Sequence, residues 1–300
     1  MGWVTQQFSW NLYADLQSML AYAYMVNAFE AGTIIAIVAG LVGYLIVLRK
    51  SSFAAHALGH VGFAGAAGAV LLSWDPVVGL LLFTTGSGTF ISLLGKKAAH
   101  RDVEIGTTLA FMLGLGVLFI SLYTGYSTET YSILFGEVLG ISNSALQLTF
   151  YASLVVFALL AATYRPLLFS SLDEEVAEAK GLNTVFLGWI FMMLVAITVS
   201  IAVQVIGVLL IFALMVTPAA TAIRLCKRPG YAIVVSVLIA VLSVWGGLFI
   251  AWYSNYPPSF FIVTISFVIY IAVRIGQYGT SKVRRALAAD RGHDSSTSVS

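Results

Sequence analysis

Apolar runs long enough to cross a bilayer, about 20 residues each, recur along nearly the whole chain, and every Lys and Arg falls in alternate connections between them. Arg49 and Lys50 come first, followed by Lys96, Lys97 and Arg101, then Arg165 and Lys180. Arg224, Lys227 and Arg228 follow, and Arg274, Lys282, Arg284, Arg285 and Arg291 complete the fifteen. The intervening connections, at residues 74–76, 125–144, around 204 and at 252–258, hold none. Cytoplasmic loops of membrane proteins are enriched in Lys and Arg, so this alternation predicts a multi-pass protein with an external N-terminus and a cytoplasmic C-terminus. The fold class expected is an all-α polytopic membrane protein of 8–9 transmembrane helices. Spans are read at 29–48, 53–73, 77–95, 105–125, 146–164, 184–203, 205–223, 231–252 and 259–276.

Composition excludes the soluble classes. Hydrophobic residues make up 60% of the chain and charged residues 9%, against about 25% charged in a soluble domain. The lone Cys226 removes internal disulfides and cysteine metal sites. No cation precedes Arg49, so a cleaved signal peptide, which needs a basic n-region, is not expected. Residues 1–28, containing "NLYADLQSMLAYAYMV", read as an external interfacial helix whose aromatics sit at headgroup level. Residues 29–278 form the transmembrane domain, and 279–300 a disordered cytoplasmic tail. Asp15, Glu30, Asp75, Glu129 and Glu137 fall on the external side without a cation. Such a mouth attracts positive solutes, although sparse Lys and Arg in outward loops give the same picture.

The second span, "HALGHVGFAGAAGA", places two of the four histidines, His56 and His60, four residues apart. Residues at that spacing share a helix face, about 6 Å apart along the axis. Counted from Arg49, His60 lies near the membrane midplane, where an ionisable side chain is functional by default. Two imidazoles in this relation can hold one divalent metal if other ligands complete the set. The alternative is a neutral pair, each ring hydrogen-bonded to a neighbouring helix. Gly59, Gly62, Gly65 and Gly68 let this helix approach its neighbours closely, so it is expected at the centre of the bundle.

Three further stretches stand out. "FTTGSGTF" in the third span lacks the Lys-Ser/Thr of a phosphate loop and reads as a packing surface, or one lining a path. In the seventh span, "VQVIGVLLIFALMVTPAATAIRL", Pro218 predicts a kink, and Gln204 marks a tight external hairpin to the preceding span. "SSLDEEVAEAKGLN" predicts a short cytoplasmic helix at about 172–180. Ser171 with Glu174 has capping-box spacing, Asp173, Glu174 and Glu175 suit a helix N-terminus, and Gly181 suits its stop.

Together, "GLVGYLIVLRKSSFAAHALGHVGFAG", "FGEVLGIS", "SSLDEEVAEAKGL" and "QVIGVLLIFALMVTPAATA" resemble the metal-cation permeases of bacterial ABC importers for zinc, manganese and iron, over about residues 24–274. The resemblance implies an ABC importer permease architecture in the bacterial cytoplasmic membrane. It also implies a partner set: a second permease copy forming a homodimer, cytoplasmic ATPase subunits and an external metal-binding protein. The acidic helix, with Asp173, Glu174, Glu175, Glu178 and Gly181, becomes the coupling helix that docks on the ATPase. The chain has no phosphate loop of its own, so it is read as a non-enzyme with no permanent cofactor and no nucleic-acid partner. Its cargo is a transported divalent metal. Glu129, Glu137 and Gln204 are candidates for gate or external docking contacts.

The chain departs from the family pattern at one position. The family's Asp-x-x-x-His reads His56-x-x-x-His60 here, so His60 carries over as a pathway residue and His56 replaces a carboxylate. Imidazole in place of carboxylate favours zinc over manganese, and protons compete with metal for the pair near pH 6. A gradient-driven secondary transporter of a cation or chelate is the alternative. It calls for internal repeats with matching broken helices, and the two halves show no self-similarity. A membrane di-iron enzyme needs more histidines than four. A scaffold without transport leaves the histidines unexplained.

Overall fold

A computed structural model of the chain describes residues 12–94, 98–122, 140–254 and 256–296. They form eleven helices in chain order: α1 (Leu12–Leu20), α2 (Ala23–Leu48), α3 (Ser52–Leu71), α4 (Pro76–Leu94), α5 (Ala98–Leu122), α6 (Asn143–Leu172), α7 (Glu174–Ala179), α8 (Thr184–Ile206), α9 (Val208–Leu225), α10 (Pro229–Tyr253) and α11 (Pro258–Ser296). Eight are long and apolar enough to cross a membrane, and Leu210–Leu225 within α9 is a ninth, shorter apolar helix. No strand occurs among the described residues. The expected all-α polytopic architecture is the one found, and the protein is a multi-pass membrane protein.

Contacts at the two ends fix the alternation of direction. At one end Asn27 Nδ2 donates to the Ile141 carbonyl and to Asn143 Oδ1, both at 2.9 Å, joining the start of α2 to the start of α6. Tyr22 and Tyr24 pack there on Trp252 at the end of α10. At the other end Arg49 reaches Ser170 and Ser171 at the close of α6, and Arg224 lies over Tyr270 of α11. The cations named here gather at this second, basic end.

The bundle is centred on α3, 78% of whose membrane-crossing stretch is buried, followed by α8 at 72% and α2 at 67%. Its small residues explain the position, because backbones rather than side chains meet there. An ideal Cβ on Gly65 would fall 2.2 Å from the Gly79 carbonyl oxygen, and one on Gly79 would fall 2.1 Å from that of Gly65. α3 and α4 are therefore in mutual backbone contact. α2 lies between α10 and α9; Ser236 Oγ of α10 donates to the Gly40 carbonyl at 3.0 Å, and Trp245 Nε1 to Thr33 Oγ1 at 2.8 Å. By contrast the membrane-crossing stretches of α11 and α5 are 11% and 17% buried.

α3 is bracketed by two identical corners. At its start Ser51 N–H bonds the Ile46 carbonyl and Lys50 N–H that of Val47. At its end Trp74 N–H bonds Ala69 and Ser73 N–H bonds Val70. Both are Schellman motifs, with Lys50 (φ 54°) and Ser73 (φ 59°) in the left-handed position. The same pair of bonds closes α7, from Leu182 to Ala177 and from Gly181 to Glu178, where Gly181 (φ 82°) supplies the stop expected of it.

Several boundaries differ from the sequence reading. α2 begins at Ala23, six residues ahead of the expected span, because Asn27 finds partners on α6 instead of needing water. α6 runs through Pro166 to Leu172, past the expected end at 164. α8 continues through Gln204 to Ile206 and is parted from α9 by Gly207 alone. That residue has φ 82° and ψ 161°, a combination open essentially only to glycine. α9 passes through Pro218 as one helix, and Thr221 Oγ1 bonds the Thr217 carbonyl, not the Leu214 carbonyl that the proline frees. α11 extends to Ser296, over residues set aside as a polar tail.

Candidate functional site

Two helices build the site. In α3 between Ala54 and Ala69 every residue is buried except His56 and His60, which are half-buried. Away from its two ends, α3 thus opens only where its two ionisable side chains stand. The rings meet edge to face, with centroids 4.7 Å apart and planes at 82°. His56 also meets Phe212 of α9 at 4.9 Å and 67°. Neither ring makes a hydrogen bond among the described residues. The half-buried positions of α9 continue this open face at Phe212, Ala213, Val216, Thr217 and Ala220, spaced as one side of a helix.

Gly59, between the histidines, explains how α9 comes so close. An added Cβ there would sit 3.6 Å from Val208 Cγ1 and 4.0 Å from Ile211 Cγ2, which is ordinary contact. The start of α9, just after the Gly207 break, therefore rests on the histidine segment. Among the described residues no group of three or more His, Cys, Asp and Glu gathers in a metal-binding arrangement. Zinc sites take four ligands, so two imidazoles alone fall short of a complete coordination shell.

The other candidates lie apart. Gln204 lines a cavity of about 410 Å³ at the cation-free end, with Asp75, Leu80, Ser142, Ser144 and Val203. Its Oε1 is buried and has no hydrogen-bond partner among the described residues. Asp75 Oδ1 accepts from Val77 N–H at 2.8 Å and so caps α4. Glu129 and Glu137 lie outside the described residues. Asp173, Glu174, Glu175, Glu178 and Gly181 all lie on or beside α7 at the basic end. The capping there differs from expectation: Asp173 is the N-cap, its Oδ1 accepting from Val176 N–H at 3.0 Å. Ser171 is drawn away because its hydroxyl donates to the Leu167 carbonyl and accepts from Arg49.

Two features of the bundle carry no clear sign in the sequence. The first is a pair of fully buried hydroxyls, Thr84 of α4 and Ser200 of α8, 2.6 Å apart. Thr84 belongs to "FTTGSGTF", which is a packing surface on this side; Gly88 lies against Met192, Met193 and Ala196, and Trp189 Nε1 donates to Thr89 Oγ1. Its other side, with Gly86, Ser87 and Phe90, opens on a groove of about 550 Å³ shared with Thr107, Thr108 and Phe111 of α5. The second is Arg49, whose place next to a span end gave no hint of its partners.

Residues 21–277 match the model of the family described as the ABC 3 transport family. The chain belongs to that family. Membership makes it a permease of the metal-cation type and a membrane subunit of an ABC transporter, as the sequence resemblance implied. Over 256 residues it is 29% identical to the manganese transport system membrane protein MntC of Listeria monocytogenes, covering 85% of this chain and 91% of that one. It is 30% identical over 250 residues to the high-affinity zinc uptake system membrane protein ZnuB of Buchnera aphidicola, covering 82% and 95%. The fold is similar to that of PsaBC from Streptococcus pneumoniae solved in complex with a Fab, with a TM-score of 0.78 and 27% identity over 87% of this chain and 95% of that one.

Proposed function

We propose that this chain is the membrane-spanning subunit of an ATP-driven importer for a divalent transition metal, and that zinc is preferred over manganese. The observation that carries the reading is the pair of imidazoles, 4.7 Å apart, on an open face of the most buried helix. Relatives named for manganese and for zinc support a metal cargo. The ligand type sets the preference between them, since imidazole suits zinc and carboxylate suits manganese. Family membership favours ATP over an ion gradient as the energy source.

In this reading the basic end is cytoplasmic, and the cation moves from the cation-free end past His60 and then His56. A second copy of the chain closes the open face of α3 and α9 and completes the path. An external metal-binding protein delivers the ion, with Gln204 at the receiving end. α7 docks on a cytoplasmic ATPase through Glu174, Glu175 and Glu178, with Asp173 and Gly181 fixing its two ends.

Uptake of zinc and manganese into proteoliposomes holding the assembled transporter tests this. Wild type is expected to take up zinc faster, and His60→Ala and His56→Ala to lose uptake while the ATPase still co-purifies. Manganese-selective uptake in the wild type, or full uptake by both variants, would refute the assignment of the pair.

A further inference from the structure

Arg49 joins the three parts that such a transporter must move together. Its Nε donates to Ser171 Oγ at 2.7 Å and a terminal nitrogen donates to Ser170 Oγ at 2.5 Å. The guanidinium also lies 4.8 Å from the centre of the Phe191 ring. One planar cation therefore holds the last turn of α6 by a two-pronged hydrogen bond and rests on α8, a geometry that lysine's point charge cannot reproduce. Both serine hydroxyls donate back to the Leu167 carbonyl, which leaves their lone pairs for the arginine. Charge-assisted bonds of this kind are the stronger sort.

The two helices that Arg49 touches are those that carry α7. Asp173 is at once the last residue of α6's cap and the N-cap of α7. On the far side Thr184 Oγ1, at the start of α8, donates to Glu178 Oε1 at 2.5 Å. Lys180 lies 5.0 Å over the Phe169 ring of α6. α7 is thus fastened to α6 and α8 at both of its ends, and a push on it moves that pair.

From Arg49 the chain leads straight to the histidines. Arg49 caps α2, and the Schellman bonds of Ser51 and Lys50 make the next two residues a fixed corner. α3 begins at Ser52, so His56 stands about one turn beyond that corner. No flexible linker separates the guanidinium from the metal pair.

We infer that Arg49 is the positioning residue that transmits displacement of α7 to the histidine helix, and so couples ATP hydrolysis to movement of the metal. The inference rests on the reading of α7 as the docking element. It predicts a specific defect in which the ATPase docks and hydrolyses ATP while the path fails to respond.

The test uses the assembled transporter in proteoliposomes, with zinc uptake and ATP hydrolysis measured on the same samples for wild type, Arg49→Ala, Arg49→Lys and the double variant Ser170→Ala/Ser171→Ala. Coupling free energies between sites change linked events by about 5- to 150-fold, so uptake per ATP is expected to fall about tenfold in Arg49→Ala. Hydrolysis should stay within about twofold of wild type. The double variant, which keeps the charge and loses both acceptors, is expected to show the same defect, and Arg49→Lys a smaller one. If Arg49→Ala does not assemble, the double variant and Arg49→Lys decide. An unchanged ratio of uptake to hydrolysis overturns the inference, as does a parallel fall in both. If wild type brings down no ATPase at all, the docking reading fails, and this inference falls with it.

Discussion

Adding one methyl group at Gly43 asks whether α2 and α9 touch backbone to backbone next to the histidine pair. An ideal Cβ there would lie 2.0 Å from the Met215 carbonyl oxygen and 2.9 Å from its carbon. Real Cβ contacts essentially never fall under 3.0 Å, so Gly43→Ala forces α9 to retreat by about 1 Å in a close-packed interior. The obstructing atoms are backbone, and no rotamer change can relieve them. Overpacking costs about 1–3 kcal/mol, and this contact belongs at the upper end. Alanine returns about 1 kcal/mol through its better helix propensity. The net loss is about 2 kcal/mol, a factor of about 30 in the folded-to-unfolded ratio. Gly114 of α5 has nothing within 4 Å of its added Cβ, so Gly114→Ala is the matched control that receives only the propensity gain. Thermal unfolding of the purified protein in detergent should rank Gly114→Ala at or above wild type and Gly43→Ala several degrees below both, on the order of 2–4 °C per kcal/mol. α9 also carries Phe212, three residues from Met215 and against His56, so zinc affinity should drop in the same variant. Gly43→Ala melting together with Gly114→Ala would refute the tight α2–α9 contact and the reasoning built on it.

Other outcomes follow from the same geometry. Imidazole binds metal only when neutral. Metal loses to protons as pH falls, so zinc uptake should decline between about pH 7.5 and pH 5.5; a flat profile would remove the histidines from the path. His56→Asp restores a carboxylate, and competition uptake should show manganese gaining on zinc by a clear margin. Gly207→Ala places a Cβ in a conformation open essentially only to glycine, at about 1–3 kcal/mol, and should lower the melting temperature and abolish uptake. Asp173→Ala removes the N-cap of α7, a loss of about 1 kcal/mol that stays local. Co-purified ATPase should therefore fall while the melting temperature of the bundle hardly moves.

How far the sequence could be read depended on which physical rule each element obeys. Spans were legible because lipid demands long apolar helices, and the cation alternation sorted their ends without any contact being known. The central place of α3 was legible from its glycines. Boundaries set by a partner were not: Asn27 looks like a reason to end a span until Ile141 and Asn143 take its amide. Pro166 looks like a stop, yet α6 runs through it. Ser171 has the spacing of a capping box, but Arg49, from 122 positions away, claims its hydroxyl. The Gly207 break had a local sign, a glycine between two apolar runs, and was placed a few residues early because Gln204 is polar. The histidine pair was legible as a pair; that its rings make no hydrogen bond among the described residues and face the open side of α3 depended on the packing of every neighbour.

The reciprocal contact of Gly65 with Gly79 sets which parts of the bundle can slide. Each carbonyl sits where the other's side chain would begin, so α3 cannot shift along α4 without colliding with it. Gly59, by contrast, meets Val208 and Ile211 of α9 only at ordinary contact distances. Packed helices that slide do so across smooth surfaces, by shear. Backbone contact therefore ties α3 to α4 as one unit, and the seam of α3 with room to slide is the one with α9, where His56 meets Phe212.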